Sequence, residues 1–570
     1  MKPKLVINLI LIISVIFSFK VFAQTDEVIV PPGPEIFDFI MGDTTSTGER
    51  NVPGRVYKLE RGQIYIFTET LEIDFDFYLV ADDDDPNNPV RPPMLVKGVH
   101  PDGSLVENLI NITGDNIKIG LKNLLFQGVP MDGKYRNDWT LALSGTGTNV
   151  HMEIDNCVFN GWSYAAMDLP MKNIKLYLRN NYFRNLVQPV HPFGGQDVAT
   201  YNANDTLIYE NNTFFNTSAY IVLPQPDERC NYIKFDHNTI FTTIINPFFV
   251  PSIQNAEFTN NIFYGILAMG QKHEEIEAGW YGWDNAAVGI MNYDTMSTEL
   301  QQKLGMEESA RRIVHKNNVW FNPQKIVDYW TAFVDSIPVT DVNGDTTGWT
   351  TQPLTPTVWM NANTQAMFDD KDNYPNFIDE NTIYADPEFD PTMAAAVIDS
   401  VVNWVSWWRN GLGWESSDGP ARQINFGNDN FDLPWPFPET LTYSNAELAT
   451  ASTEGLHLGD LNWYPEEKAQ WTDIETENTP LEYKFTLYQN YPNPFNPSTV
   501  IKFSIKEQSN VSLDVFNTLG QKVATLINKE LSAGNYKYTF DGSKLSSGVY
   551  FYRLKSGNSF VQIKKMLLLK

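Results

Sequence analysis

Two cysteines in 570 residues exclude a disulfide scaffold. Cys157 and Cys230 belong to different turns of a repeat described below, and a bridge needs Cα atoms within about 7 Å, so two buried thiols are expected. Basic side chains are also scarce, with 41 Lys and Arg against 69 Asp and Glu and a formal charge of −28. The deficit is uneven. Residues 485–570 carry 11 basic and 4 acidic side chains, whereas residues 24–484 carry 27 and 65. A body that acidic repels nucleic acid, anionic membrane surfaces and, unless a cation intervenes, polyanionic glycans. Long apolar runs are missing after the first two dozen residues, so no membrane span is expected in the mature chain. The run that exists, Leu5 to Phe19, follows Met1-Lys2-Pro3-Lys4, is interrupted by Lys20 and ends in Val21-Phe22-Ala23. That order is the pattern of a secretory signal peptide over residues 1–23, cleaved after Ala23. No zinc-ligand spacing, phosphate loop or nucleophile elbow occurs.

What the chain does have is a short phrase that keeps returning: Asn, any residue, a large apolar residue, then Phe or Tyr. It reads Asn123-Leu124-Leu125-Phe126, Asn156-Cys157-Val158-Phe159, Asn212-Thr213-Phe214-Phe215, Asn238-Thr239-Ile240-Phe241, Asn261-Ile262-Phe263-Tyr264 and Asn318-Val319-Trp320-Phe321, with Asn181-Tyr182-Phe183-Arg184 as a variant. Self-similarity at that period marks a solenoid. Each copy follows an alternating run such as Ile174-Lys175-Leu176-Tyr177-Leu178, the pattern of a strand with one buried face. The asparagine suits a sharp turn that needs a left-handed residue, and equivalent amides in stacked coils can bond to one another along the axis. Short β-favouring runs from Val56 onward read as opening coils, after an irregular lead-in at 24–55.

The pattern resembles the right-handed parallel β-helix proteins of pectate-lyase-like architecture over residues 56–325, reaching toward 390. An all-β fold is expected, a solenoid followed by a small antiparallel β-sandwich. An insertion at 267–312 carries a dense aromatic loop, Gly279-Trp280-Tyr281-Gly282-Trp283-Asp284, and a helical stretch from Met296 to Arg312 broken at Gly305. Residues 326–469 read as a capping extension. Within it a helix from Met393 to Arg409 places Trp404, Trp407 and Trp408 on one side, as expected of a plug over the open end of the solenoid. Residues 470–484 read as a linker.

The last segment, 485–570, opens with Tyr491-Pro492-Asn493-Pro494-Phe495-Asn496-Pro497, continues in alternating strands with turns at Gly520, Gly534 and Gly548, and ends in Lys564-Lys565-Met566-Leu567-Leu568-Leu569-Lys570. It looks like the type A sorting domain of the type IX secretion system. The resemblance implies Sec export followed by passage across a Bacteroidota-like outer membrane, with that machinery as partner and the cell surface or medium as destination. It implies nothing about what the passenger does.

For chemistry, the phrases that accompany polygalacturonan hydrolysis in the resembling architecture (Asn-Thr-Asp, Gly-Asp-Asp, Gly-His-Gly, Arg-Ile-Lys) are missing, as is the Arg-x-Pro-x-x-Arg of pectate lyases. The stacked column Arg179, Glu210, Asp236 offers paired carboxylates at a turn, where solvated polar residues are the ordinary explanation. The strand after each phrase is expected to carry the exposed groove. There Asp168 or Asp227 would serve as acid or base, His191 as proton partner and Arg229 as electrostatic clamp. Trp162, Tyr164, Tyr220, Trp280 and Trp283 would line the sugar path. No organic cofactor is called for; calcium is the one candidate ion, at Asp82-Asp83-Asp84-Asp85, while Asp341 to Asp345 departs from a calcium loop and reads as an Asn-Gly hairpin turn. The functional expectation is binding or processing of an extracellular polysaccharide, as a lyase or glycoside hydrolase if an enzyme. The competing expectation is a non-enzymatic surface or adhesion protein with the solenoid as a rigid spacer.

Overall fold

The computed structural model describes residues 26–136, 140–223, 228–250, 252–279, 287–340, 345–412, 420, 423–429, 431, 433–475, 486–487, 489–490, 493–505, 509–518, 520–531, 534–556 and 560–569. The signal-peptide reading therefore lies outside the described residues. One compact unit ends at Ala469 and a second begins at Gln470.

Among the described residues of the first unit, strands stack in parallel into sheets of eleven, ten and five strands. One coil reads His151–Asp155, Val158–Asn160 and Ala165–Asp168, one strand for each sheet. The inward side chains form one continuous core, because parallel strands in successive coils set like residues above like. Phe126, Phe159, Phe183 and Phe214 stack ring on ring with centroids 4.7, 5.0 and 4.9 Å apart.

The repeated phrase is offset by one residue between its early and late copies. Cross-coil pairing sets Val158 against Tyr182, Tyr182 against Thr213, Thr213 against Thr239, Thr239 against Ile262 and Ile262 against Val319. The inner column is therefore Cys157, Asn181, Asn212, Asn238, Asn261, Asn318, and the phrase asparagines Asn123 and Asn156 stand one place earlier. The two columns do different work. The outer one, Asn156, Asn180, Asn211, His237, Asn260, Asn317, takes the left-handed backbone conformation, with φ between 52 and 59°. The inner one builds a buried amide ladder. The backbone N–H groups of Asn181, Asn212 and Asn238 donate to the Oδ1 of the next coil's asparagine at 2.9, 2.9 and 2.8 Å. Each of these Nδ2 groups also donates back to a carbonyl one coil behind, as Asn238 does to Tyr209 at 2.9 Å. Each rung meets the rule that buried polar groups be paired and contributes about 1 kcal/mol net per bond.

The solenoid starts earlier than the lead-in reading allowed, since Glu27–Ile29 pairs in parallel with Val56–Leu59. The helix Ile36–Met41 buries Ile36 and Ile40 beside it. At the other end, Phe377–Glu380 and Ile383–Tyr384 add a coil after the insertion. The insertion helix runs Thr298–Leu304 and stops at Gly305, whose φ of 64° is the left-handed cap that glycine favours. The helix Pro391–Trp407 is not a plug. It lies along the flank of the coils: Trp404 Nε1 donates to the Pro189 carbonyl at 2.8 Å, and Arg409 just beyond it bonds the Met269 and Gly270 carbonyls and pairs with Glu275. The helix Pro465–Glu475 runs into the start of the segment read as a linker.

The second unit consists of two antiparallel sheets of three and four strands among the described residues. They enclose Ile501, Phe503, Leu513, Val515, Tyr552, Leu554 and Met566. No helix among the described residues is long and apolar enough to cross a membrane.

Candidate functional site

The third sheet carries the candidate site. Its strands Leu71–Ile73, Asn108–Ile112, Leu141–Gly145, Ala165–Asp168 and Gln196–Ala199 pair so that Glu72, Asn111, Ser144, Asp168 and Ala199 fall in one column. Glu72 is exposed, whereas Leu71 and Ile73 on either side of it are buried, so this column faces outward. Asp168 is the carboxylate in it with an unusual setting. Its side chain is partly buried and its Oδ1 has no hydrogen-bond partner. Burial first, and then the negative charge of Glu107, push its pKa up to about 6. Tyr201, just beyond the neighbouring strand, has its hydroxyl 3.5 Å from that of Tyr164. Burial, the Tyr164 contact and the charge of Asp168 raise the Tyr201 phenol. Asp168, Glu107, Tyr164 and Tyr201 thus gather a proton-holding carboxyl, an exposed carboxylate and two phenols on one side of the solenoid. A carboxyl raised toward neutrality by burial, with a second carboxyl and two phenols nearby, is a setting in which proton transfer can be arranged.

The other expected residues do not all join this group. His191 sits in the loop closed by the Gly195 N–H donating to the Tyr164 carbonyl at 2.8 Å. Tyr164 directly precedes the strand that Asp168 ends, roughly 13 Å of chain away. The His191 imidazole accepts the Phe193 N–H at 3.1 Å and lies beside the Phe193 ring, and burial lowers its pKa. Arg229 leads into the first sheet, where Nη2 donates to Gln254 Oε1 at 3.1 Å; it does not clamp the Asp168 face. Tyr220 packs against Phe249 and its phenol is pushed up to about 12 by burial. Trp162 is a correction: it is 0% exposed, with Nε1 donating to the Phe126 carbonyl at 3.1 Å. It turns inward because Gly161, at φ 74°, and Gly128 let two coils touch backbone to backbone. A Cβ on Gly128 would stand 2.3 Å from the Gly161 oxygen. Asp227, Trp280 and Trp283 lie outside the described residues, as does the hairpin tip at 341–344.

Several carboxylates elsewhere are paired with cations. Burial would raise Glu210, but Lys234 at 2.6 Å and Arg179 at 2.8 Å overcome it and hold the pKa down. Lys234 also reaches Asp236 at 3.2 Å. In the acidic turn Asp82 binds Lys58 at 2.7 Å, Asp83 binds Lys122 at 2.9 Å and Asp84 binds Arg61 at 3.2 Å. Those side chains point to different partners, and no group of three or more His, Cys, Asp or Glu among the described residues could hold a metal ion.

Glu107 and Tyr201 were not singled out from the sequence. The strand Ala165–Asp168 spans four residues and reads Ala-Ala-Met-Asp, too short for alternation to reveal which face Asp168 takes or which coil neighbours flank it.

Comparison with curated proteins finds no match to this chain. Residues 489–569 match the family described as the secretion system C-terminal sorting domain. The last unit is therefore a type IX secretion sorting domain, which exports the chain to the surface of a Bacteroidota-type cell or beyond it.

Proposed function

We propose that the exported solenoid binds or processes an extracellular polysaccharide along its third sheet, with Asp168 as the central group. The observation that carries the reading is the Asp168 carboxyl, partly buried with an unpartnered Oδ1 and pushed up to about 6. Beside it lie Glu107 and the phenols of Tyr201 and Tyr164. A carboxyl that keeps its proton near neutral pH can protonate a leaving glycosidic oxygen, and an ionised partner can activate water. Phenols at the rim supply flat, amphipathic surfaces suited to sugar rings. Export supports the same reading, because it delivers the site to where polysaccharides are met. The purified protein is to be screened against neutral and acidic glycans, with and without calcium, by reducing-end and unsaturated-uronate assays. Turnover that disappears in Asp168→Asn is the expected result for an enzyme, and binding weakened by Asp168→Asn is expected for a binding module. Turnover or binding that is indifferent to this change overturns the assignment of the site.

The second reading is a non-enzymatic surface protein with the solenoid as spacer. It is favoured by the burial of Trp162 and by the cation pairing of Glu210. Failure to bind or cut any glycan selects it.

A further inference from the structure

The antiparallel hairpin Asp335–Thr340 and Thr346–Gln352 forms a sheet of its own among the described residues. One of its faces turns toward the short helix His273–Glu277 of the insertion. Asp335 is buried and its Oδ2 accepts the His273 N–H at 3.1 Å, and Ile337 is partly buried. The opposite face is open. Cross-strand pairing sets Pro338 against Trp349 and Ser336 against Thr351, and all four of these side chains are exposed. Trp349 is 70% exposed.

Tryptophan is among the side chains most enriched as anchors of contact surfaces, and this one is held open to water on a strand. Three observations narrow the occupant. The face has hydroxyls and an indole and carries no charge, while the chain as a whole carries −28, so a polyanion is disfavoured. Pro338 has no N–H, and the register shifts between Val339 and Thr340, where Thr347 Oγ1 donates to the Val339 carbonyl at 3.1 Å. A proline and a bulge blunt both edges against an added strand, which leaves the face as the contact. A flat indole flanked by Ser and Thr hydroxyls matches the C–H face and hydroxyl rim of a pyranose.

We infer that the Trp349 face is a binding site for a neutral glycan, distinct from the Asp168 face and serving to hold the chain on its polymer. The inference rests on the polysaccharide reading above, and the experiment separates the two. Isothermal titration of the full chain with neutral hexasaccharides of glucose, mannose and xylose, and with polygalacturonate, identifies the sugar. Trp349→Ala is expected to weaken the neutral complex at least tenfold with an unchanged melting temperature, and Trp349→Phe is expected to restore most of the affinity. Unchanged affinity in Trp349→Ala overturns the inference and leaves the Asp168 reading standing. Absence of any glycan binding by the unaltered chain overturns both. A preference for polygalacturonate overturns the neutral assignment. So does a Trp349→Ala variant that only converts a dimer to a monomer in light scattering, because the face then belongs to a second copy.

Discussion

Arg184 and Glu439 lie 255 residues apart in the chain and form an ion pair with both side chains 0% exposed. The guanidinium also donates to Asn160 Oδ1 at 2.9 Å, Asn425 Oδ1 at 3.0 Å and the Ile424 carbonyl at 2.7 Å. With Nη2 also donating to Glu439 Oε2 at 3.2 Å, all five N–H donors are used, four of them to fasten Ile424, Asn425 and Glu439 across the second sheet, beside an apolar cluster of Met94, Leu125 and Val158.

Glu439→Gln leaves the Arg184 charge buried without its counter-ion and is expected to cost about 3–5 kcal/mol. Replacing both partners by apolar residues, as in Arg184→Met with Glu439→Leu, is expected to recover most of that loss. Urea unfolding of the parent and the two variants checks it; a Glu439→Gln variant as stable as the parent would show that the pair does not hold the segment.

Asn238→Ala deprives the buried Asn212 N–H and Nδ2 of their shared acceptor, each bond being 2.9 Å. The expected cost is about 1–3 kcal/mol per orphaned group. Asn111→Ala, on the outer face of the third sheet, is expected within about 0.5 kcal/mol of the parent. Chemical denaturation midpoints of the two variants measure the contrast.

Glu107→Gln removes the charge that helps to raise Asp168. The Asp168 pKa is expected to fall from about 6 without reaching the ordinary value, because burial is the larger cause and remains. Carboxyl carbon NMR reads this whether or not the protein is an enzyme, and an unmoved titration would separate Glu107 from the site.

Asp460 is buried and its pKa is pushed up to about 7 by burial, against the opposing hydrogen bonds from Thr213 and the Asn462 N–H and the charge of Lys468. Lys468 is itself lowered by burial. The folded chain keeps the Asp460 proton up to about pH 7, whereas the unfolded chain loses it near 3.8. Between those values the unfolded state binds fewer protons, so this group's contribution to stability falls as pH rises from about 4 to 7 and is level above. Asp460→Asn is expected to flatten that slope and to gain on the order of 1 kcal/mol at pH 8. Melting temperatures across pH 4.5–8 test it; an identical slope in the variant would assign the dependence elsewhere.

The sequence made the solenoid legible because stacking forces like residues to recur, and the Asn phrase is the trace of that requirement. It concealed the one-place offset. Asn123 and Asn156 occupy the left-handed position and the later phrase asparagines the ladder, and both positions favour the same residue type for different reasons. Trp162 was misplaced for a related cause: an aromatic after a glycine reads as part of the exposed groove face until the neighbouring coil's Gly128 is known to lie against Gly161. Tyr201 and Glu107 reach Asp168 across coils, by a register that no local pattern encodes. The sorting domain was the most readable part, since its strands and turns alternate within one short segment.

The segment preceding the sorting domain is fastened to coils in the middle of the solenoid. Thr453 N–H donates to Asn260 Oδ1 at 2.9 Å, Asp460 N–H to Thr239 Oγ1 at 2.9 Å and Trp463 Nε1 to Thr213 Oγ1 at 3.0 Å. In mechanical terms this is a clasp placed between the load and the body. In chain order these bonds lie between the export tag and the coil at 377–384, so a pull on the C-terminus meets them before it meets the last turn of the solenoid.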